Sequence, residues 1–539
     1  MSGRPQTLPA LLEQSARRHA DRTAVIDGET TLTYAELAEL VERAQRSLMA
    51  AGIEPGDRVC VWSPNTHHWI VAALAVHASG ASLVTLNTRF TGAEALDILE
   101  RTSARVLFLP DGFLGNDYLE VLREAGGEAD EGRPVGALPA LSLVVRVPIE
   151  GGDAGEAAVV RWEEFLARGE EVDPAAAVAR RQAVGPDDIA DILFTSGTTG
   201  RPKGAMSAHR QTIAVAEAWA ECAEVGDEDV YMIVAPFFHT FGYKAGWVVC
   251  LLHGAAIVPQ ITFDLDDAVA TIERDRVTIL PGPPTIFQML LAYPGREERD
   301  LSSLRLAVTG SATVPVTLVE RMWRELSFDL VITAYGLTEA VVVTMCRSGD
   351  DAETISHTAG RPTAEFEVRV ADRDGNGLAP GEEGEIQVRG PNVMLGYLDD
   401  EEATRKAIEP DGWFHTGDVG HLDEGGNLTI TDRLKDMLTV GGFNVYPAEV
   451  ENAILGFEEV VECAVVGTPD ERLGEVGLAY VVTRPGSDLN EEDLIAACRD
   501  RLANFKVPRR VAFVAELPHN AAGKVLKREL RERAAGVPL

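Results

Sequence analysis

Residues 195–204 read Thr-Ser-Gly-Thr-Thr-Gly-Arg-Pro-Lys-Gly, and we call this segment the phosphate loop because its residue types suit a polyphosphate. Glycines let the backbone turn tightly and bring its N–H groups close to an anion, and hydroxyls and a cation add further donors. The common P-loop needs Gly-Lys followed by Ser or Thr, whereas here Gly204 follows Lys203. A flexible surface turn is the alternative. The residues expected to contact phosphate are Thr195, Ser196, Gly197, Thr198, Thr199, Gly200 and Lys203.

The elements around this loop predict an α/β protein. Ile189–Phe194, directly before the loop, is short and apolar enough to be a buried strand. Residues 7–52 read as two amphipathic helices around one short strand, with a capping box at Thr33–Glu36. The uncharged run Trp69–Leu86 predicts a buried helix that turns at Gly80 into a buried strand. Strands and helices alternate through about residue 345, as in an α/β sheet.

The chain is long enough for two or more domains. We predict a large amino-terminal α/β domain over residues 1–434, with a β-rich subdomain over 364–432 and a peripheral excursion without motifs over 124–184. A small α+β carboxy-terminal domain is predicted over residues 435–539. It should contain a helix near 447–455, strands near 463–466 and 478–482, and a helix from 490 to 503.

Composition narrows the function classes. The 539 residues are 45% hydrophobic and 25% charged, as in a globular protein. The net charge of −36 argues against nucleic acid and anionic membranes as partners. No charged amino-terminal segment precedes an apolar stretch, so we expect neither a signal peptide nor an integral membrane segment. Six scattered cysteines predict core thiols in a reducing compartment, which favours the cytoplasm. A homo-oligomer is left open.

Five more segments place polar or charged side chains among glycines and aromatic residues: Pro-Phe-Phe-His-Thr-Phe-Gly (236–242), Gly-Ser-Ala (310–312), Tyr-Gly-Leu-Thr-Glu (335–339), Trp-Phe-His-Thr-Gly-Asp (413–418) and Pro-His-Asn-Ala-Ala-Gly-Lys (518–524). With the phosphate loop, these segments resemble, in order, the motifs of the adenylate-forming superfamily of acyl-CoA synthetases, luciferases and peptide-synthetase adenylation domains. The resemblance implies that ATP and a carboxylic acid give acyl-AMP and pyrophosphate, and that CoA then gives the thioester and AMP.

The resemblance implies roles for residues of the predicted amino-terminal domain. His239 faces the substrate carboxylate and the nucleotide, although a histidine satisfied within an aromatic core is the alternative. Tyr335 stacks on adenine, beside Gly310, Ser311, Ala312 and Gly336. Thr338 reaches the α-phosphate, and Glu339 supplies an oxygen to Mg²⁺, with Thr198 as a further ligand. A helix N-terminus is the alternative for Thr338 and Glu339.

Other implied roles lie towards the carboxy terminus. Asp418 accepts hydrogen bonds from the ribose hydroxyls, and Arg433 adds a contact to ribose or phosphate. Lys524 offsets the repulsion between carboxylate and phosphate, which is an electrostatic role. Gly441 and Gly442 approach the pantetheine arm of CoA, and Lys435 is the hinge. Plain turns and solvated side chains are the alternatives for Asp418, Lys524 and the two glycines.

The acid itself is less constrained. Segments such as Ser63–Thr66, Phe241–Gly246 and Leu280–Thr285 resemble bacterial ligases of steroid degradation, which implies a ring-bearing indanedione propionate. Medium- or long-chain fatty acids are the alternative. We expect Phe238, Phe241 and Val341–Val343 to line the acyl pocket. Lys244 either meets a ring carbonyl of the acid or is a solvated lysine.

Two competing classes stay open at this point. One is an adenylation enzyme that loads a separate carrier protein, since no serine-centred carrier segment follows Lys524. The other is a non-catalytic nucleotide-binding or interaction protein, against which Lys524, Glu339 and Asp418 argue because all three are intact.

Overall fold

The computed structural model describes residues 4–128, 133–151, 158–195, 202–310, 314–372, 374–433, 436–440, 443–445, 447–470, 473–499, 501–502, 504, 506–519 and 525–534. Their contacts divide the chain into two compact units. The first unit takes in the described residues within 4–195, 202–367 and 389–414, and the second takes in those within 368–388 and 415–534. The boundary between residues 434 and 435 stays a prediction.

The strands of the described residues are, in chain order, β1 Thr23–Asp27, β2 Thr30–Thr33, β3 Arg58–Val61, β4 Ser82–Thr85, β5 Val106–Pro110, β6 Leu143–Val147, β7 Val159–Arg161, β8 Ile189–Phe194, β9 Gly204–Ala208, β10 Val230–Ile233, β11 Ala256–Pro259, β12 Ile279–Pro281, β13 Leu306–Thr309, β14 Leu330–Tyr335, β15 Thr344–Met345, β16 Arg361–Pro362, β17 Glu367–Ala371, β18 Gly384–Arg389, β19 Gly396–Tyr397, β20 Phe414–Leu422, β21 Leu428–Arg433, β22 Leu438–Val440, β23 Phe443–Val445, β24 Val460–Asp470, β25 Gly474–Thr483 and β26 Arg510–Phe513.

The α-helices of the same residues are α1 Leu8–Arg18, α2 Tyr34–Ala50, α3 His67–Ala78, α4 Gly92–Thr102, α5 Tyr118–Gly126, α6 Trp162–Arg168, α7 Pro174–Gln182, α8 His209–Ala223, α9 Thr240–Gly242, α10 Val248–His253, α11 Leu265–Asp275, α12 Pro284–Leu291, α13 Val316–Glu325, α14 Ala352–His357, α15 Glu401–Ala407, α16 Pro447–Leu455, α17 Glu491–Arg499 and α18 Lys527–Ala534. A π-helical turn, Tyr243–Trp247, joins α9 to α10.

A nine-stranded sheet in the first unit has the order β16-β15-β14-β13-β12-β10-β11-β1-β2. Its central strands are parallel, so the carboxyl ends of β13 and β14 meet at one edge. The predicted single strand near the amino terminus is instead an antiparallel hairpin of β1 and β2. The predicted capping box is confirmed, because Thr33 and Glu36 exchange side-chain and backbone hydrogen bonds at the start of α2.

An eight-stranded sheet of the same unit has the order β19-β9-β8-β4-β3-β5-β6-β7. The segment 124–184 was predicted to be a peripheral excursion, but β6 and β7 extend this sheet in parallel and β6 is buried along its length. The two strands have only five and three residues, and the alanine and charged residues around them gave no periodic pattern from which strands could be predicted.

Helix α3 explains how the two sheets share a core. Its residues from Trp69 to Ala78 are all buried, and the helix contacts β1 of one sheet and β3 and β4 of the other. An apolar helix without a polar face is stable only when protein covers all its sides. As predicted, the chain turns at Gly80, with φ +74°, into the buried strand β4.

The second unit contains two antiparallel or mixed sheets. The first has the order β17-β18-β20-β21, where β-rich structure was predicted. The second has the order β23-β22-β25-β24 with β26 beside β25, and it packs with α16 and α17 around a separate apolar core. The α/β fold with a small α+β carboxy-terminal region is confirmed.

Candidate active site

The phosphate loop connects two antiparallel strands. Phe194 of β8 pairs with Gly204 of β9, and the Thr195 N–H donates to the Lys203 carbonyl at 2.9 Å. The predicted residues Ser196, Gly197, Thr198, Thr199 and Gly200 lie outside the described residues. Lys203 is exposed, and its Nζ lies 4.8 Å from the ring centroid of Tyr397.

The predicted adenine segments come together at the carboxyl edge of the nine-stranded sheet. Thr309 pairs with Thr333, so Gly310, which follows β13, and Tyr335, which ends β14, lie at the same end of neighbouring parallel strands. A β-carbon at Gly310 would make only an ordinary contact, 3.7 Å from the Ala334 carbonyl oxygen. Tyr335 is buried. Ser311 and Ala312 lie outside the described residues.

The segment Tyr335–Glu339 leads into a tight turn. The Val341 N–H donates to the Leu337 carbonyl at 2.6 Å, and Val341 has φ +57°. This left-handed conformation is rare for a β-branched residue and stores backbone strain, as happens at functional sites. A side chain at Gly336 would collide with the Val341 carbonyl, so glycine is required there. The turn leaves Thr338 and Glu339 half-buried.

Tyr397 orients the Glu339 carboxylate, and the sequence analysis missed it. Its hydroxyl donates to Glu339 Oε1 at 2.9 Å, and the Met394 N–H donates to the Glu339 carbonyl at 2.7 Å. Burial and the nearby carboxylate of Glu339 raise the pKa of Tyr397, so its hydroxyl remains a donor. Tyr397 pairs with Ala205 on β9, two positions after Lys203. The Tyr397 side chain therefore contacts both the Glu339 carboxylate, through its hydroxyl, and the Lys203 ammonium, through its ring. Tyr397 lies on the two-residue strand β19 and stands outside the motifs quoted from the sequence.

His239 caps the short helix α9. Its Nδ1 accepts the Phe241 N–H at 3.3 Å, so a neutral ring carries its proton on Nε2. The ring is accessible to solvent, yet the surrounding protein removes enough water to lower the pKa of His239. A neutral imidazole with a free Nε2–H can donate a hydrogen bond to a carboxylate.

The side chains of Asn65, which follows β3, and Thr85, which ends β4, hydrogen-bond to the backbone of the segment before His239. Asn65 Nδ2 donates to the Ala235 carbonyl at 2.9 Å, and Asn65 Oδ1 accepts the Phe237 N–H at 2.7 Å. Thr85 donates to the Phe238 carbonyl at 2.8 Å. Asn65 lies in the segment Ser63–Thr66, which carried a resemblance but no predicted role for this residue. Of the predicted pocket residues, Phe238 and Phe241 are half-buried and Val341–Val343 are buried.

Both expectations for Lys244 are wrong. The residue is 1% exposed, and its Nζ lies 2.8 Å from Oδ1 of Asp191, which is fully buried. A lysine whose charge is neutralised in the core neither reaches solvent nor is available to a ligand's carbonyl. The sequence offered no sign of this pair, because Asp191 stands alone in an apolar strand 53 positions earlier.

In the second unit, the predicted ribose residues are neighbours. Asp418 on β20 pairs with Arg433 on β21, and Asp418 is 2% exposed. Its N–H donates to the Thr416 hydroxyl at 3.0 Å, and Gly417 turns the chain with φ +69°.

Several predicted residues of the carboxy-terminal region lie outside the described residues: Lys435, Gly441, Gly442 and Lys524. Strands β22 and β23 flank the two glycines, with Val440 paired to Phe443. His519 and Val525 form an isolated bridge on either side of the segment with Lys524. His519 Nε2 also lies 2.7 Å from Glu462 Oε1.

Comparison with known proteins decides the family. Residues 12–398 match the model described as AMP-binding enzyme, and residues 449–524 match the AMP-binding enzyme C-terminal domain. The chain belongs to the AMP-binding enzyme family. It is an AMP-forming acyl-CoA ligase, which uses ATP to form an acyl-AMP and then transfers the acyl group to CoA, so the predicted activity class is confirmed.

Two relatives are more than half identical to this AMP-binding enzyme. Both are named 3-[(3aS,4S,7aS)-7a-methyl-1,5-dioxo-octahydro-1H-inden-4-yl]propanoyl:CoA ligase. The relative from Rhodococcus jostii is 55% identical over 532 residues, 99% of this chain and 99% of its own. The relative from Mycobacterium tuberculosis is 54% identical over 528 residues, 98% of this chain and 99% of its own.

Solved structures of ligases share the fold. ATP-bound MatB from Rhodopseudomonas palustris has a TM-score of 0.83 at 28% identity, covering 98% of this chain and 99% of its own. The o-succinylbenzoate CoA synthetase from Bacillus subtilis, in complex with its acyl-adenylate intermediate, has a TM-score of 0.79 at 28% identity and covers 97% of each chain. Among the residues described for this AMP-binding enzyme, no helix combines the length and apolarity needed to cross a bilayer.

Proposed function

We propose that this ligase activates a compact ring-bearing propionate, the indanedione propionate of bacterial steroid catabolism, in the cytoplasm. The observation that carries the proposal is the 55% identity, over 99% of both chains, to a ligase named for that acyl group. The aromatic side chains beside His239 are consistent with a compact acid. Phe241 is half-buried and packs edge-on against Trp219 at 5.3 Å between ring centroids.

We propose the following roles in adenylate formation. A carboxylate oxygen bonds to the α-phosphorus of ATP, the bond from that phosphorus to the bridging oxygen breaks, and pyrophosphate leaves. No proton has to move, because the nucleophile is already ionised. The difficulty is the approach of two anions. Lys203 and Lys524 supply positive charge, and the Nε2–H of His239 donates to the carboxylate.

Mg²⁺ fits the half-buried carboxylate of Glu339, which Tyr397 already orients and which offers the hard oxygen that this ion prefers. We assign Glu339, with Thr198, to the ion, which would neutralise charge on the phosphates. Tyr335, Gly310 and Gly336 are assigned to adenine, and Thr338 to the α-phosphate. Asp418 and Arg433 are assigned to the ribose side of the nucleotide.

The test compares kcat/KM for the indanedione propionate with that for palmitate, using ATP-dependent pyrophosphate release and thioester formation. Specificity is the ratio of these constants. The proposal expects the ring-bearing acid to be preferred. A higher kcat/KM for palmitate would contradict the proposed acid but not the ligase class. Pyrophosphate release that yields product only with a carrier protein, and not with CoA, would favour the loading of a carrier instead.

A further inference from the structure

Asp191 and Lys244 form an ion pair inside the core that the roles above do not use. The two residues are 0% and 1% exposed, and the distance between Lys244 Nζ and Asp191 Oδ1 is 2.8 Å. Thr212 on α8 donates its hydroxyl to Asp191 Oδ2 at 3.1 Å. Burial raises the pKa of Asp191, and Lys244 and the hydroxyls of Thr212 and Tyr243 oppose that shift.

The neighbouring histidines do not compete for the carboxylate. His77 is fully buried, and burial, together with His209 and Lys244, lowers its pKa far below the usual value. Burial also lowers the pKa of His209 to about 4. Both rings are therefore neutral at pH 7, and Lys244 is the cation that balances Asp191.

The pair joins two segments of the proposed site. Asp191 lies on β8, four positions before Thr195, where the phosphate loop begins. Lys244 lies in the π-helical turn Tyr243–Trp247, whose first N–H donates to the His239 carbonyl at 3.0 Å. Inside this turn Gly246 departs from helical values, with φ −109° and ψ −105°. The chain is therefore kinked at Gly246, directly before Trp247 and α10.

A second contact fixes the same turn. The Tyr243 hydroxyl lies 2.9 Å from His77 Nε2 on α3, and the Tyr243 and Trp247 rings stack at 4.9 Å. The turn therefore has a defined orientation with respect to both β8 and α3. An apolar pair of similar size would pack without desolvating two charges, and such replacements are often neutral or stabilising. A gain in stability is therefore a poor explanation for an ion pair at this place.

We propose that Asp191 and Lys244 are positioning residues, which fix the His239 segment with respect to the end of β8 and Thr195, where the phosphate loop begins, so that the acid's carboxylate meets the α-phosphate. The inference rests on the proposed roles of His239 and the phosphate loop. It concerns adenylate formation specifically, because the phosphate loop has no polyphosphate to hold once pyrophosphate has left. Thioester formation should then depend much less on the pair.

The test uses the double variant Asp191→Asn/Lys244→Met, which removes both charges together. Its control is Asp229→Asn/Arg305→Met, a pair with a 2.7 Å hydrogen bond between Arg305 Nε and Asp229 Oδ1. Asp229 and Arg305 directly precede β10 and β13. They therefore lie at the amino ends of these strands, whereas Gly310 and Tyr335 lie at the carboxyl edge of the same sheet. We expect the first variant to unfold near the parental temperature but to lose at least about tenfold in kcat of ATP–pyrophosphate exchange. Thioester formation from supplied acyl-AMP should stay within about twofold, and the control should keep both rates.

Parental exchange kinetics in the folded double variant would overturn the proposal, and so would equal losses in both half-reactions. If that variant does not fold, Thr212→Val removes only the hydroxyl bonded to Asp191, and it should slow exchange severalfold without slowing thioester formation. A parental exchange rate in Thr212→Val would then overturn the proposal. If the wild-type enzyme showed no ATP–pyrophosphate exchange with any acid, the proposed function itself would be refuted. That outcome is distinct from failure of the positioning proposal, which is judged only by comparing variants with an active wild type.

Discussion

The hydroxyl of Tyr397 donates a hydrogen bond to the Glu339 carboxylate at 2.9 Å. Tyr397→Phe removes this hydroxyl and keeps the ring beneath Lys203. A hydrogen bond to a charged group contributes about 1.5–3 kcal/mol, so we expect the adenylation rate to fall about tenfold to a hundredfold. The Mg²⁺ concentration needed for half-maximal activity should also rise, because a carboxylate that is not held in one orientation binds the ion less tightly.

The measurement is ATP–pyrophosphate exchange as a function of Mg²⁺ concentration. Tyr293→Phe is the matched control, because the Tyr293 hydroxyl also donates to a carboxylate, Asp266 Oδ1 at 2.8 Å, in a surface contact. Equal exchange kinetics in the two variants would show that Tyr397 does not position Glu339.

At this scale the sequence predicted the residues that stand in contiguous motifs. His239 and Glu339 were predicted because their neighbours in contiguous motifs single them out, and their roles stay predictions. Tyr397, Asn65 and the Asp191–Lys244 pair were missed or misread, because their partners lie 58, 172 and 53 positions away. A polar residue in an apolar strand shows that a partner must exist, but only folding shows which one.

At the scale of secondary-structure elements, the backbone of the turn after β14 is tightly constrained. Gly336 has no room for a side chain, and Val341 is held at φ +57°. Gly336→Ala would push the Val341 carbonyl away and move Thr338 and Glu339. We expect adenylation to fall at least about hundredfold, since displacement of reacting groups by about 1 Å costs that much.

Gly226→Ala is the control, because nothing lies within 4 Å of the position that its added carbon would occupy. The assay is pyrophosphate exchange, together with circular dichroism to establish folding. A folded Gly336→Ala enzyme with the exchange rate of Gly226→Ala would contradict the importance of this turn.

Periodicity predicted elements whose burial is uniform or regular, such as α2, α3 and β4. It failed for β6 and β7, which are short, and for the hairpin of β1 and β2, which is separated by only two residues. It also gave no sign of the turn Tyr243–Trp247, whose residues Tyr243 and Lys244 contact elements far away in the sequence.

At the scale of the whole molecule, we expect the two half-reactions to use different residues of the carboxy-terminal region. Lys524 is proposed for adenylation, and the sequence predicts that the Gly441-Gly442 segment approaches CoA. We therefore expect this region to rotate between steps, with Lys435 as the hinge. Lys435→Pro fixes φ near −65° and restricts Leu434. It should retain acyl-AMP formation and lose thioester formation.

Rapid-quench analysis of acyl-AMP and acyl-CoA measures both steps for Lys435→Pro in one experiment. Lys435→Ala is the control, because it removes the side chain without restricting the backbone. A folded proline variant that makes acyl-CoA at the parental rate would remove Lys435 from the mechanism.

The most direct test of the account separates the two half-reactions in Lys524→Ala, with the indanedione propionate as acid. Loss of one preorganised charge costs about 3 kcal/mol or more. We predict that adenylation falls at least about hundredfold, while supplied acyl-AMP is converted to acyl-CoA at a near-parental rate. Equal loss in both half-reactions, in a folded enzyme, would contradict the division of labour on which the account rests.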